Sequence, residues 1–412
     1  MRERVKEALQ ANPVGRAAYA LAQELWFDHT YRARVERYVV ATEGTPDAYR
    51  PSAHVARALR KIQARGYTPK KRPLGEIHTF AYVPSHWWHQ NQIAAALPSL
   101  GPTTRFDYEG HGFTLKSLHT RTSGHLDRRR EVMNQMLEAL KKAHRERPVD
   151  WFLSYALGYD ITPEAIQRIK DEVGIPIVNV SFDDKNWWDE IERGDPSTGM
   201  KQFAPHVDLA WTSASNVLPW YWAEDGQALF VPEGVNVDWF KPMEVARDIE
   251  VGFVGNNFGY RPELLRALQK AGIKVSHFGM NWSDSRTLDD AEMRLFFNRC
   301  WVNLGHGDMH YSKWLTNLKG RDFEIPSVGR GVYITTYNSD LAACFELGHE
   351  IQCYRGLDEL IDLLRHHLRN RDESDAMAAR ARARCIREHQ WQHRFHVLLR
   401  ALGILPASEK VD

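Results

Sequence analysis

Two stretches of this sequence gather glycine, cations and a carboxylate at spacings suited to binding an anion and a polyol. The first, Val254-Gly255-Asn256-Asn257-Phe258-Gly259-Tyr260-Arg261, follows a β-rich run. Its glycines let backbone N–H groups come close to an anion, and Arg261 can meet that anion with charge-assisted hydrogen bonds. The loop therefore reads as a diphosphate cradle, although a purely structural strand-to-helix turn accounts for it equally well. The second stretch runs from Lys319 through Arg321, Asp322, Phe323 and Glu324 to Gly329, Arg330 and Gly331. A carboxylate accepting two hydroxyl groups is how a doubly wound nucleotide site holds ribose, and nearby cations neutralise a diphosphate as it leaves. Glu324 suits the first role, Lys319 and Arg321 the second. An Arg/Glu surface pair is the competing account.

Further candidates stand earlier in the chain. Ser85-His86-Trp87-Trp88-His89 and Asp183-Asp184-Lys185-Asn186-Trp187-Trp188 set paired tryptophans beside imidazoles or carboxylates. Aromatic faces stack on the CH surface of a pyranose while carboxylates accept its hydroxyl protons. His86, Trp87, Trp88, Asp183 and Asp184 are thus candidate acceptor contacts; the alternative is that the tryptophans wedge or cap a sheet. His111, in Glu109-Gly110-His111-Gly112, is a further candidate, with a structural role as its alternative.

The elements that must position these residues follow from periodicity. From Glu76, short β-rich runs alternate with helical stretches, the pattern of βαβ units and a parallel sheet. IHTFAYV, TTRFDY, VDWFLSYAL, IPIVNVSFDD and VDLAWTSAS read as strands, with helices from about Asp127 to Glu146 and after Thr162-Pro163-Glu164. The series restarts at IEVGFVGNN, with IKVSHFG, WVNLGH, VYITTY and EIQCYR as strands. Helices are expected over RPELLRALQKAG, near DDAEMRLFFNRC, from FEIPSVGRG, over LDELIDLLRHHLRN and, as one long closing element, from about Glu373 to Leu402. The reading is four parts: a helical basic extension over 1–72, a doubly wound domain over 73–242, a second over 243–372 and a C-terminal helix over 373–412. In such sheets ligands lie beyond the carboxyl ends of the strands, where helix N-termini offer N–H groups, and both candidate loops fall there.

Composition narrows the function. At 412 residues the chain is long enough for two cores, and 43% hydrophobic with 26% charged residues excludes wholesale disorder. A net charge of +1 provides no global field for nucleic acid. The four cysteines lack CxxC spacing, which argues against zinc and disulfides. No signal-like start and no run of about 18 apolar residues occurs, so a cytoplasmic location is expected. Residues 1–72 carry 15 Lys/Arg against 7 Asp/Glu, an excess of +8, with Leu25, Trp26 and Phe27 interleaved. That excess would suit peripheral contact with an anionic leaflet; a helical arm packed on the next domain is the plainer reading.

Several motifs in order resemble a known family. Ile249 to about Leu399 resembles the C-terminal domain of group 1, family 4-like GT-B glycosyltransferases, in particular the spore-maturation (CgeB-like) branch. In the broad family a strand ending VGR is followed, five residues after that Arg, by Lys, and both contact donor phosphates; here Asn256 stands at the Arg position and Arg261 at the Lys position. FEIPSVGRGV is similar to the end of the family's E-x7-E motif, with Glu324 at the second Glu and Gly329 at the glycine. Thr316 stands where the first Glu would be, and Arg321-Asp322-Phe323-Glu324 matches the branch's RxFE form. VPEGVNVDWFKP is similar to the segment closing the acceptor domain. The resemblance implies two Rossmann-like domains facing a cleft and a retaining transfer from a nucleotide-diphosphate sugar to a glycan, lipid-linked or protein acceptor. Arg261, Glu324 and Arg321 would be catalytic, with Gly255, Asn256, Asn257, Lys319, Thr316 and Gly329 around the donor. No Asp-x-Asp occurs, so no metal and no cofactor beyond the co-substrate is expected. A catalytically inactive nucleotide- or glycan-binding protein of the same fold is the alternative.

Overall fold

The computed structural model describes residues 13–42, 50–83, 92–118, 122–156, 160–189, 199–307, 309 and 316–407. The chain divides into two compact units, one of Tyr38–Asn236 with Trp391–Asp412, the other of Met1–Arg37 with Val237–Gln390. Residues 1–72 and 373–412, read above as an extension and a closing helix, are each shared between the two.

Among the described residues the first unit holds six strands: β1 (Thr79–Tyr82), β2 (Thr103–Phe106), β3 (Trp151–Ser154), β4 (Ile177–Ser181), β5 (Leu209–Thr212) and β6 (Ala228–Phe230). They form one parallel sheet in the order β2-β1-β3-β4-β5-β6. Every residue of β1, β3, β4 and β5 is buried, as expected of strands covered on both faces. On one face Ala81, Leu153, Val178, Val180 and Trp211 pack with Ala58 and Ile62 of helix Pro51–Ala64, with Phe395, Leu398 and Leu399 of helix Trp391–Ala401 and with Leu402 just past its end. The buried indoles are satisfied: Trp151 Nε1 donates to Thr79 Oγ1 at 2.8 Å and Trp211 Nε1 to the Val231 carbonyl at 2.7 Å. Helix Pro163–Glu172 begins where its signals placed it, with the Thr162 hydroxyl accepting from the Ala165 N–H and Pro163 in the first turn.

Four cations of 51–72 form ion pairs within this unit, two of them with buried carboxylates and two with the exposed Asp225. Arg57 and Lys61 meet Asp225, Arg65 meets Asp208 at 2.7 Å, and Arg72 meets Asp150 at 3.2 Å. On helix Pro13–Thr42, by contrast, Leu25 and Trp26 are 63% and 62% exposed. No helix among the described residues is long and apolar enough to cross a membrane.

The second unit holds β7 (Ile249–Val254), β8 (Val275–Phe278), β9 (Cys300–Leu304), β10 (Val332–Thr336) and β11 (Gln352–Tyr354), again all parallel, in the order β11-β10-β9-β7-β8. Val251, Phe253, Val302, Leu304, Val332 and Ile334 form the sheet's contribution to a core completed by Leu265 and Leu268 of helix Arg261–Lys270, Leu360 and Leu364 of helix Leu357–Arg369, and Met377. Helix Asp290–Arg299 starts on a capping box between Asp289 and Glu292. The expected single closing helix is two, Arg371–Glu388 and Trp391–Ala401. The break falls where His389 is pinned: its Nε2 lies 2.9 Å from the Cys344 carbonyl and its ring packs on Phe323 and Phe345. There the chain passes from the second unit to the first.

Candidate functional site

In both sheets the chain adds its second strand to one side of the first and its third to the other, so the order reverses between β1 and β3 and between β7 and β9. Ligands of open α/β sheets bind at the carboxyl ends of the strands flanking that reversal. In the second unit those ends lead into Gly255–Tyr260 and into Gly305-His306-Gly307.

Arg261 joins the two loops. From the first residue of its helix, its guanidinium donates to the Asn256 carbonyl at 3.2 Å and to the His306 carbonyl at 3.4 Å. The cradle is braced by the end of β8 and the turn after it. The Gly255 N–H donates to the Phe278 carbonyl at 2.8 Å, and the Gly255 carbonyl accepts from Trp282 Nε1 at 2.8 Å. Asn256 Oδ1 accepts the Met280 N–H at 3.0 Å, while Asn257 donates to the Met280 and Asn281 carbonyls. The amides of Asn256 and Asn257 therefore hold the loop's shape, and Arg261 is the loop's cation.

The second candidate stretch is tied to the same place. The Asn317 N–H donates to the Gly307 carbonyl at 3.1 Å, which lays the chain from Thr316 toward Lys319 beside the turn whose His306 carbonyl meets Arg261. Thr316 and Lys319 are half-buried. Helix Arg321–Val328 follows, with Arg321 and Glu324 one turn apart, Nη1 3.9 Å from Oε2, and the Glu324 side chain only 12% exposed. Asp322 is buried; it accepts the Lys319 N–H at 2.7 Å and the Tyr333 hydroxyl at 2.6 Å, and burial pushes its pKa up to about 6. Gly329 ends the helix at φ 67°, where a Cβ would stand 2.7 Å from Arg382 Cδ. Its glycine is thus required by helix termination and packing. The Arg382 guanidinium donates to the Ser327 and Phe240 carbonyls, satisfying the end of that helix.

His306 belongs to this site and escapes the sequence reading. The Tyr354 hydroxyl donates to the Gly305 carbonyl at 3.3 Å and lies 3.1 Å from His306 Nδ1. The hydroxyl thus ties the ring to the Gly305 backbone. Burial, with Arg261 nearby, pulls the His306 pKa down to about 3, so the ring is neutral at physiological pH. The available signal was a histidine between two glycines at a strand end. Gly305 is obligatory there, since a Cβ would lie 2.2 Å from the Tyr333 hydroxyl oxygen.

The first unit's candidates do not converge in the same way. His86, Trp87 and Trp88 lie outside the described residues. His111 is exposed after β2, its ring stacked on Phe106 at 4.4 Å. The Asp183-Asp184 turn follows β4, and three strand spacings, about 14 Å, separate β2 from β4. Asp183 is half-buried. Asp184 is buried and accepts the Tyr221 hydroxyl at 2.7 Å; burial pushes its pKa up to about 6. Trp188 is fully buried, its Nε1 donating to the Tyr38 hydroxyl at 2.7 Å.

Comparison with known proteins agrees with the geometry. Residues 261–400 match the family model described as glycosyl transferase-like. No curated protein sequence matches the chain. Among solved structures, sucrose-phosphate synthase from Thermosynechococcus elongatus superposes with a TM-score of 0.54 at 11% identity, over 79% of this chain and 99% of that one. A glycosyltransferase from Rickettsia africae gives 0.54 at 10%, over 79% and 98%. Anabaena HepE in complex with UDP and glucose gives 0.52 at 10%, over 80% and 100%. At such identities the likeness concerns the fold, which is the GT-B arrangement of two Rossmann-like domains.

Proposed function

We propose that this protein transfers a sugar from a nucleotide-diphosphate donor to a hydroxyl acceptor, and that the donor binds at the strand-order reversal of the second unit. The observation carrying the proposal is that Arg261 bridges two glycine-bearing loops at the carboxyl ends of β7 and β9. In this reading Arg261, with Lys319 and Arg321, stabilises the departing diphosphate, where charge grows most as the bond breaks. Glu324 accepts the ribose hydroxyls, and the neutral His306 ring adds no charge. The co-substrate suffices without a further cofactor or metal, since cations and the N-terminus of helix Arg261–Lys270 face the charge that develops. Retention of configuration, and placement in the spore-maturation branch of the family, rest on the RDFE form and the motifs after it. The solved Anabaena relative binds UDP and glucose, which supports a nucleotide sugar as the partner to test first.

Turnover of a labelled nucleotide sugar, read as nucleotide released in the presence of glycan, lipid-linked and protein acceptors, is the deciding assay. Release of nucleotide above the rate of a chain carrying Arg261→Ala is expected. The competing reading, a binder that keeps the fold without the reaction, draws on one observation: Asn256, at the position of a phosphate-binding Arg, spends its side-chain oxygen on the Met280 N–H. Thermal stabilisation by a nucleotide sugar with no nucleotide release would establish that binder instead.

We further propose peripheral contact of helix Pro13–Thr42 with an anionic leaflet in the cytoplasm, supported by exposed Leu25 and Trp26. Because Arg57, Lys61, Arg65 and Arg72 are paired within the first unit, the apolar contacts would carry more of this binding than the charge excess suggests. Replacing both Leu25 and Trp26 by Ser should lower co-sedimentation with anionic liposomes, and raised salt should lower it further. Equal recovery of both proteins would end this part of the proposal.

A further inference from the structure

Resting on the donor reading above, the geometry points to Asp322 as a positioning residue whose ionised carboxylate holds the donor-side loop in register, so that donor binding is lost when Asp322 is protonated. Asp322 is 3% exposed, touches no solvent-facing chemistry itself, and is absent from the roles considered above. Each of its oxygens takes one short bond from a different element: Oδ2 from the Lys319 backbone N–H at 2.7 Å, Oδ1 from the Tyr333 hydroxyl at 2.6 Å. Its own N–H returns to the Lys319 carbonyl at 2.8 Å, closing a ring around the residue before the helix.

The tie extends to the strand-order reversal. Tyr333, on β10, places its hydroxyl where a Cβ at Gly305 would stand 2.2 Å away, so the same oxygen that Asp322 orients is the floor beneath the Gly305–Gly307 turn. That turn carries His306, whose carbonyl meets Arg261. Asp322 thus holds the Lys319 segment directly and the Gly305–Gly307 turn through Tyr333.

Ionisation matters because both bonds come from donors. A carboxylate accepts both; a carboxylic acid must place its proton on one of these oxygens, against the Tyr333 hydroxyl or the Lys319 N–H. The charged and titratable groups facing Asp322 are Lys319 from the loop, Arg321 from its own helix, Tyr333 from β10 and Cys353 from β11; Arg382 and Cys385 of helix Arg371–Glu388, packed on the same helix, reach the Ser327 and Phe323 carbonyls instead. The two cations favour the carboxylate but do not offset its burial, which leaves the pKa at about 6.

The test follows amide exchange of the peptide containing Lys319, relative to an unstructured peptide of the same sequence, together with calorimetric affinity for UDP-glucose, whose diphosphate does not titrate across the range used. Both are measured at neutral pH and near pH 5, in wild type, Asp322→Asn and Tyr333→Phe. In wild type, acidification should release protection at Lys319 and weaken UDP-glucose about tenfold or more. Asp322→Asn, isosteric but with one acceptor oxygen, should show at neutral pH what wild type shows near pH 5, and change little on acidification. Tyr333→Phe should weaken binding at neutral pH while keeping the acid response. An acid response in Asp322→Asn parallel to that of wild type overturns the inference, as does a wild-type affinity that is level across the range. Loss of Lys319 protection in Asp322→Asn with no UDP-glucose binding by any protein upholds the tie and overturns the donor reading.

Discussion

The two units repeat one plan with different outcomes. Each sheet reverses its strand order after the second strand, and each unit buries an aspartate against a tyrosine hydroxyl: Asp184 with Tyr221 at 2.7 Å, Asp322 with Tyr333 at 2.6 Å. Burial pushes both carboxyls up to about 6. In the second unit the pair also holds the Lys319 backbone and underlies the turn that meets Arg261. In the first, Tyr221 packs edge-on against the buried Trp188 at 4.9 Å, and the further bonds of Asp184 go to Ser181 and Thr212. A buried Asp–Tyr pair is therefore not a mark of chemistry in itself; the segment it restrains decides its role.

The comparison breaks most visibly at Arg261. Arg261→Ala should lower kcat by roughly 10² to 10³, as loss of one charge-stabilising donor does elsewhere, with a smaller rise in donor KM. A change in KM alone would make Arg261 a binding residue without a transition-state role. Glu324→Gln should cost about 1.5 to 3 kcal/mol of nucleotide-sugar affinity by calorimetry, with the fold intact. Unchanged affinity would remove Glu324 from the site.

Asp184 sharpens the contrast with the smallest effect. Its folded pKa lies above its unfolded value, so the folded state binds more protons through that interval and stability falls as pH rises through about 6. From pH 7.5 to pH 5 it should add about 1.4 kcal/mol of unfolding free energy in wild type, a gain that Asp184→Asn lacks. Donor affinity should be the same in both. A change in donor affinity without the stability difference would reverse the roles assigned to the two pairs.

Much of the architecture was legible because parallel strands covered on both faces read as short apolar runs, and because Thr162-Pro163-Glu164 and Asp289 with Glu292 carry local helix-start chemistry. The loop around Arg261 was legible for the same reason: strand, glycine and cation are contiguous. Asp322 and Tyr333 stand eleven residues apart on a helix and a strand, and their bond exists only after the sheet has formed. His306 needed the strand order before its position at the reversal had meaning. Trp188, beside two aspartates, matched a sugar platform in type and spacing, yet whether an indole faces solvent or a core is set by residues as remote as Tyr38. The closing helix showed a clear apolar face, but periodicity states that a face is buried and not against which sheet.

That last point bears on the order of events during synthesis. The first unit's core includes Phe395, Leu398, Leu399, Leu402 and Leu405, although its sheet is complete by Phe230. At ribosomal rates the roughly 170 residues between Asn236 and Leu405 take on the order of 10 to 30 s to appear. Throughout that interval the earliest sheet to emerge waits with part of one apolar face uncovered, while the sheet made later already has its own helices. The sheet begun first belongs to the core finished last, and a chain ended prematurely at Gln390 would leave that sheet as the aggregation-prone part of the protein.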